Sequence, residues 1–154
     1  MKSRLGWMLT GALLGVLVVA PWGDGSEAAT GPATIRITDR ELGVTRVDVG
    51  PKGISPGDTE IVRLRLLQRG TRTTIGRAEL LCDYVDSVRS RVCRGTYFLP
   101  KGKLVVGGSI LYRQFYELAV LGGTGLFDNA RGTLRVTQTQ RNPVRHVAVF
   151  RLVG

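Results

Sequence analysis

The sequence has few of the residues that build familiar catalytic or metal centres. His146 is its single histidine, so a multi-histidine metal site is excluded, and no Cys-x-x-Cys pair or carboxylate triad takes its place. No Gly-x-Ser-x-Gly elbow is present to complete a Ser-His-Asp arrangement, and a Cys-His pair would need a free cysteine. We therefore expect no metal, no cofactor and no hydrolase chemistry of these types.

The sequence also lacks a concentrated run of basic residues. Its formal net charge is +10, a value that could favour nucleic acid or acidic surfaces. The arginines are scattered singly, however, with no run of five or more, and many alternate with apolar residues. This spacing is typical of the solvent-facing sides of strands, so we expect no nucleic-acid partner.

One long apolar run is present, and it lies near the N-terminus. It covers residues 5–20 and follows Lys2 and Arg4, and the small-residue stretch Ser-Glu-Ala comes after it at residues 26–28. This order is typical of a secretory signal peptide over residues 1–28, although the run also approaches the length of a retained membrane anchor. We predict a secreted, extracellular protein with no stable membrane insertion once the signal has been removed.

Only two cysteines occur, Cys82 and Cys93, and both lie beyond the predicted signal. In an exported protein an even pair predicts a disulfide, with two buried free thiols as the alternative. A loop of this length would contribute roughly 2–3 kcal/mol by restricting the unfolded chain. The bridge would also fix the register of the hairpin that contains it.

The rest of the chain shows an alternation of apolar and polar residues that predicts an all-β domain. Residues 29–43 are assigned to an N-terminal arm with room for one short edge strand. Over residues 44–154 the period of two recurs in eight short segments, each closed by turn residues, with no amphipathic helix between them. Eight antiparallel strands form a sandwich or a barrel, and closure into an eight-stranded antiparallel β-barrel has the advantage of removing exposed edges. Such a barrel can hold one small ligand.

A glycine-rich stretch over residues 120–132, VLGGTGLFDNARG, raises the possibility of phosphate binding. A P-loop requires Gly-Lys-Ser/Thr after the glycines, and a dinucleotide loop requires Gly-x-Gly-x-x-Gly before a helix. Neither pattern is present. Glycines also allow positive φ angles, and Asp128 and Asn129 offer turn hydrogen bonds, so we predict a wide turn between two strands.

The same stretch resembles the GGTG-x-(F/Y)-x-x-ARG signature shared by plant dirigent proteins and the bacterial allene oxide cyclase barrel-like proteins. Residues 47–67, VDVGPKGISPGDTEIVRLRLL, are similar to the D-x-G-x-x-G-x-S-x-GD segment of the bacterial branch. The cysteine pair followed by TYFLPKGKLVVGG also matches that branch. The resemblance extends from about residue 44 to residue 153, and the order of the three motifs makes it more specific than any one of them.

This resemblance implies an eight-stranded antiparallel barrel with an apolar cavity, exported from a bacterium and assembled as a homodimer or homotrimer. In the superfamily the barrel guides a reactive small molecule. Allene oxide cyclases shape an epoxide for stereoselective ring closure, and dirigent proteins orient phenoxy radicals or stabilise quinone methides. The matching motifs are turn and register motifs, so they carry over no catalytic residue to this sequence.

Alternation along the strands also nominates polar residues for the barrel interior. If Val62 and Leu64 face inward, Glu60 does so as well. A buried carboxyl group could protonate an epoxide or carbonyl, and a tyrosine could donate to a developing oxyanion. Each such residue also has a structural alternative, as a solvated group at a strand end or as part of the core. The candidate ligand-binding residues are Glu60, Tyr84, Tyr97, Tyr112, Glu117 and His146.

Three functions remain open on the sequence. The first is a cyclase-like, isomerase-like or dirigent-like barrel that binds a hydrophobic small molecule and steers its closure or coupling. The second is a carrier that binds without turnover, and the third is a structural barrel with a packed interior. A cavity of a few hundred cubic ångströms with converging polar groups would favour the first over the third.

Overall fold

The computed structural model describes residues 32–153, and the predicted signal peptide lies outside these residues. Within the described range the chain forms eight β-strands and no helix, so it contains no helix suited to crossing a membrane. The strands are β1 (Ala33–Val47), β2 (Thr59–Gln68), β3 (Thr74–Tyr84), β4 (Arg91–Leu99), β5 (Gly102–Ile110), β6 (Phe115–Gly125), β7 (Arg131–Arg141) and β8 (Val144–Val153).

The eight strands form a closed antiparallel barrel. Each strand pairs with the next one along the chain, and β8 pairs with β1. Closure leaves no strand with an unpaired edge, which is the physical advantage that favoured a barrel over a sandwich. The predicted all-β, eight-stranded antiparallel barrel is therefore confirmed.

The first strand begins earlier than the sequence predicts. The sequence indicates an arm over residues 29–43 with room for one short edge strand, but the chain is strand from Ala33 onward. β1 pairs with β8 from Ala33 to Arg40 and with β2 from Ile37 to Val47. The barrel closes through this double pairing, so the segment has inward-facing positions along its length.

The inward-facing side chains of one half of the barrel form its apolar core. Tyr97 and Phe150 are completely buried there, with ring centroids 5.0 Å apart in an edge-to-face contact. Leu66, Leu104 and Leu134 are also fully buried in the same cluster. This packing closes the end of the barrel at which β2, β4, β6 and β8 finish.

The predicted disulfide between Cys82 and Cys93 is present. The two residues lie directly opposite each other on β3 and β4, with their Cα atoms 4.0 Å apart, and both are buried on the inner face. The bridge joins the strands near the turn between them. It therefore fixes the register that determines which side chains of β3 and β4 face inward.

The glycine-rich stretch forms the end of β6 and the turn into β7, as predicted. The turn is closed by backbone hydrogen bonds in which the Phe127 and Asp128 amides donate to Thr124 and Gly125. Asn129, with a φ of 58°, is the single non-glycine residue of the described chain that has a positive φ. The loop is thus a connector between strands.

The loop between β1 and β2 is organised by a buried aspartate. The carboxylate of Asp58 accepts hydrogen bonds from the backbone amides of Val49 at 2.8 Å and Ser55 at 2.9 Å. These bonds, led by the one from Val49, lower the pKa of Asp58. The carboxylate therefore holds this loop in place just before β2 enters the barrel.

Candidate small-molecule site

The end of the barrel opposite the packed core contains a cavity of about 410 Å³. It opens where β2, β4, β6 and β8 begin, and we call this end the mouth. Val62, Leu64, Leu80 and Ile110 supply its apolar wall. Along several strands the inward positions change from apolar near the core to polar at the mouth, as the series Leu66, Leu64, Val62, Glu60 shows on β2.

Glu60 is the centre of a charged cluster at the mouth, although its side chain is only 1% exposed. Its Oε1 atom accepts from Arg113 at 2.8 Å and lies 3.7 Å from Arg46. Its Oε2 atom accepts from Arg91 at 3.1 Å, and the Tyr84 hydroxyl lies 3.5 Å away. The burial of the carboxylate is therefore compensated by several charged and polar partners.

A second polar group at the mouth joins β1 to β8. His146 lines the cavity, and its Nδ1 atom lies 2.7 Å from Oδ1 of Asp39, its neighbour in the strand register. Asp39 is completely buried, and among the described residues its Oδ2 atom has no hydrogen-bond partner. Burial raises the pKa of Asp39, and the contact with His146 opposes this effect only in part. The pair therefore places an imidazole ring, held by a buried carboxyl group, next to the cavity.

Two tyrosines extend this polar region into the lumen. Tyr116 lines the cavity, and burial raises the pKa of its phenol far above the ordinary value, so the hydroxyl is a neutral donor. Tyr97 lies deeper, against Phe150, and its buried hydroxyl has no hydrogen-bond partner within the described chain. The accessible phenol in the cavity is therefore that of Tyr116.

The structure brings three of the six sequence candidates together at the mouth. Glu60 and His146 line the cavity, and Tyr84 lies beside Glu60. Tyr97 faces inward as predicted but belongs to the packed core. The participation of these four residues in ligand binding stays a prediction.

The other two candidates lie elsewhere. Glu117 is on the outer face, where it pairs with Arg135, because Tyr116 and Leu118 are the inward-facing residues of β6. Phe115 lies on the same face of β6 as Glu117, and both side chains are exposed to solvent. Tyr112 follows the end of β5, where strand alternation no longer applies, and it is 57% exposed beside a smaller second cavity.

Sequence reasoning missed several residues of the site. Arg91 and Asp39 lie at inward positions of β4 and β1, in phase with Cys93 and Ile37, so alternation could have found both. Arg113 lies in the loop between β5 and β6, and no sequence pattern indicates its contact with Glu60. No group of three or more His, Cys, Asp or Glu side chains suited to a metal ion occurs within residues 32–153.

The sequence matches no protein-family model and no curated protein sequence. Several solved structures nevertheless share its fold. Pyocyanin demethylase aligns over 79% of this chain and 100% of its own, with a TM-score of 0.70 and 21% identity. A pterocarpan synthase dirigent protein aligns over 79% of this chain and 82% of its own, with a TM-score of 0.60 and 13% identity. The exo-specific intermolecular Diels-Alderase AbnU aligns over 80% of this chain and 99% of its own, with a TM-score of 0.62 and 12% identity.

These alignments establish that the chain has the allene oxide cyclase/dirigent-like barrel fold, as the sequence motifs implied. A shared fold supports several chemistries, so the site has to be interpreted from its own residues.

Proposed function

We propose that this protein binds a hydrophobic small molecule in the mouth of its barrel and steers the cyclisation or coupling of that molecule. The observation that carries the proposal is the 410 Å³ cavity, which has an apolar wall and converging polar groups. This combination favours ligand binding over a purely structural barrel. The dirigent and Diels-Alderase barrels that share the fold support the same class of function.

The main contribution of such a site would be to restrict the conformation of its ligand. Val62, Leu64, Leu80 and Ile110 form a wall against which a flexible apolar molecule can fold with its reacting atoms close together. Holding two reacting groups in this way removes part of the entropic barrier to ring closure. Because the wall is chiral, it would also favour one face of the new bond.

The polar groups would manage charge and protons during closure. Asp39 holds His146 through Nδ1, so an exchange of a proton with the ligand would use Nε2 of His146. The neutral hydroxyl of Tyr116 would donate to an oxygen on which negative charge develops. These roles require no cofactor.

Secretion and assembly belong to the same proposal. The disulfide between Cys82 and Cys93 is consistent with an extracellular location. We infer export through the N-terminal signal at residues 1–28 and assembly as a homodimer or homotrimer, the latter from the family resemblance. Native mass spectrometry of protein purified from its host's secretions would report the assembly, any retained ligand and the signal cleavage together.

Ligand binding can be tested with N-phenyl-1-naphthylamine, a neutral dye that fluoresces in apolar surroundings. Val62→Trp fills the cavity from its wall and should abolish the fluorescence increase. Val92→Trp is the matched control, since Val92 is 46% exposed on the barrel exterior, and should leave it unchanged. Equal binding by both variants, each with a native circular dichroism spectrum, would argue against a ligand site in the lumen.

Turnover can be tested with a synthetic ortho-quinone methide that carries a tethered alcohol. In ring closure the alcohol oxygen bonds to the exocyclic carbon, and the alcohol proton ends on the quinone oxygen to give a phenol. The steering function predicts an enantiomeric excess by chiral chromatography and a slower reaction with His146→Gln. A racemic product at an unchanged rate, despite dye binding, would support the alternative of a non-catalytic carrier.

A further inference from the structure

We propose that the ligand carries an anionic group, such as a carboxylate, which Arg91 and Arg113 hold at the mouth while the apolar body occupies the lumen. This inference names the substrate class of the site described above and therefore rests on the proposed function.

A second cavity of about 270 Å³ adjoins the lumen at the mouth. Arg91, Arg113 and Gln114 border both spaces, so these three residues lie where the two meet. The second cavity is also bounded by Tyr84, Tyr112 and the loop after β3. A ligand longer than the lumen would pass these arginines as it extends outward.

The mouth carries more positive than negative charge. Among residues 32–153, the carboxylates that border the two cavities are Glu41 and Glu60, against five arginines. Glu60 alone is shared by three of them, and both of its oxygens are occupied. A single carboxylate cannot neutralise three guanidinium groups, so the cluster attracts a further anion. The five arginines are Arg46, Arg89, Arg91, Arg113 and Arg141.

Arg91 supplies a second and independent indication. It is only 4% exposed, and its Nη1 atom donates to both Glu60 and the Tyr84 hydroxyl at 3.1 and 3.0 Å. Its Nε atom has no hydrogen-bond partner within residues 32–153. A buried donor without an acceptor is costly, and an arginine is suited to holding a carboxylate through two N–H groups. An anionic ligand group at this point would accept the unused donor.

The test compares two dyes that differ by one anionic group. 1-Anilinonaphthalene-8-sulfonate is the sulfonate of N-phenyl-1-naphthylamine, so the ratio of their dissociation constants isolates the effect of the anion. We expect the sulfonate to bind about tenfold more tightly to the wild-type protein at low salt, which corresponds to one charge-assisted hydrogen bond. This advantage should shrink as the salt concentration rises.

Arg113→Met should remove most of the sulfonate's advantage, read as the ratio of the dissociation constants of the two dyes for the same variant. Arg135→Met is a closely matched control, because Arg113 and Arg135 are both 47% exposed and each pairs with one glutamate, at 2.8 and 3.1 Å. Arg135 lies on the outer face and its loss should change neither affinity. The two variants have the same net charge. A difference between their affinities for the sulfonate therefore reports a local binding site and not a general attraction between the dye and a cationic protein.

The outcomes distinguish this inference from the function on which it rests. Equal affinities for the two dyes in the wild type, with the neutral dye still excluded by Val62→Trp, would overturn the anionic substrate class alone. Sulfonate binding that survives Val62→Trp, or that Arg135→Met weakens as much as Arg113→Met does, would overturn it as well. Failure of both dyes to bind would remove the proposed function itself.

Discussion

Replacing Glu60 with alanine would leave Arg91 without its carboxylate in a buried position. The side chain of Arg91 is 5% exposed, whereas Arg46 and Arg113 are 40% and 47% exposed and remain hydrated. Removing one partner of a buried ion pair costs about 3–5 kcal/mol, because the remaining charge is uncompensated. We expect Glu60→Ala to lower the free energy of unfolding by an amount in this range, almost entirely because the charge of Arg91 is left uncompensated.

The chain contains a matched control for this reasoning. Glu117 and Arg135 also form an ion pair, and the distance of 3.1 Å is the same as that between Glu60 and Arg91. Both members of the outer pair are nearly half exposed, at 43% and 47%. Exposed pairs contribute about 0–1 kcal/mol, so Glu117→Ala should change stability little. The two variants therefore compare a buried ion pair with an exposed one at the same distance between the charged atoms.

Urea denaturation followed by circular dichroism measures both effects. With a slope of about 2 kcal/mol per molar urea, Glu60→Ala should lower the midpoint by about 1.5–2.5 M, and Glu117→Ala by at most about 0.5 M. The double variant Glu60→Leu/Arg91→Met should recover more than half of the loss, because it removes both charges. Equal shifts for the two alanine variants, or no recovery in the double variant, would refute the argument from burial.

Two further predictions concern pH and the disulfide. Burial raises the pKa of Asp39 in the folded protein, so this group stabilises the fold at a pH below its unfolded pKa, and the stabilisation is lost as the pH rises through its folded pKa. Hydrogen bonds lower the pKa of Asp58, so this group stabilises the fold at a pH above its unfolded pKa, and the stabilisation is lost as the pH falls through its folded pKa. Urea titrations across the acid range measure the free energy of unfolding of each variant relative to the wild type. This relative stability should increase with pH for Asp39→Asn and decrease with pH for Asp58→Asn. Slopes of the same sign for the two variants would contradict this assignment. The bridge from Cys82 to Cys93 closes a short loop with a sequence separation of 11. Its removal in the double variant Cys82→Ala/Cys93→Ala should lower the free energy of unfolding by roughly 3 kcal/mol. An unchanged urea midpoint would disprove this contribution of the bridge.

The fold could be predicted from the sequence because two independent signals agree. The period of two indicates strands, and the turn residues separate them into eight segments. Closure follows from the need to protect edges, and the short spacing between the cysteines makes a hairpin bridge feasible. The start of the barrel was harder to predict, since β1 directly follows a segment of different composition, and its pairing with β8 joins residues more than 100 positions apart.

The site was accessible only in part, for a physical reason. Alternation divides a strand into two faces but does not say which face is inside when both contain large apolar residues. On β6 one face carries Phe115 and Leu121 beside Glu117, and the other carries Tyr116, Leu118 and Val120. The second face lies inside, where Tyr116 and Leu118 stand opposite Val136 and Leu134 of β7. Arg113 comes from a loop, whose direction depends on the strands that it joins.

The glycine-rich motif helps to explain why the fold was easier to identify than the reaction. A Cβ atom on Gly132, which has a φ of 142°, would collide with the backbone carbonyl oxygen of Arg151, and one on Gly123 would collide with that of Phe127. These glycines are required where β6, β7 and β8 come together at the closed end, and the cavity lies at the opposite end. The motif therefore specifies how the barrel closes and places no constraint on the residues at the mouth. A demethylase, a pterocarpan synthase dirigent protein and a Diels-Alderase share this barrel with the present chain at 12–21% identity, as expected where one fold supports several chemistries.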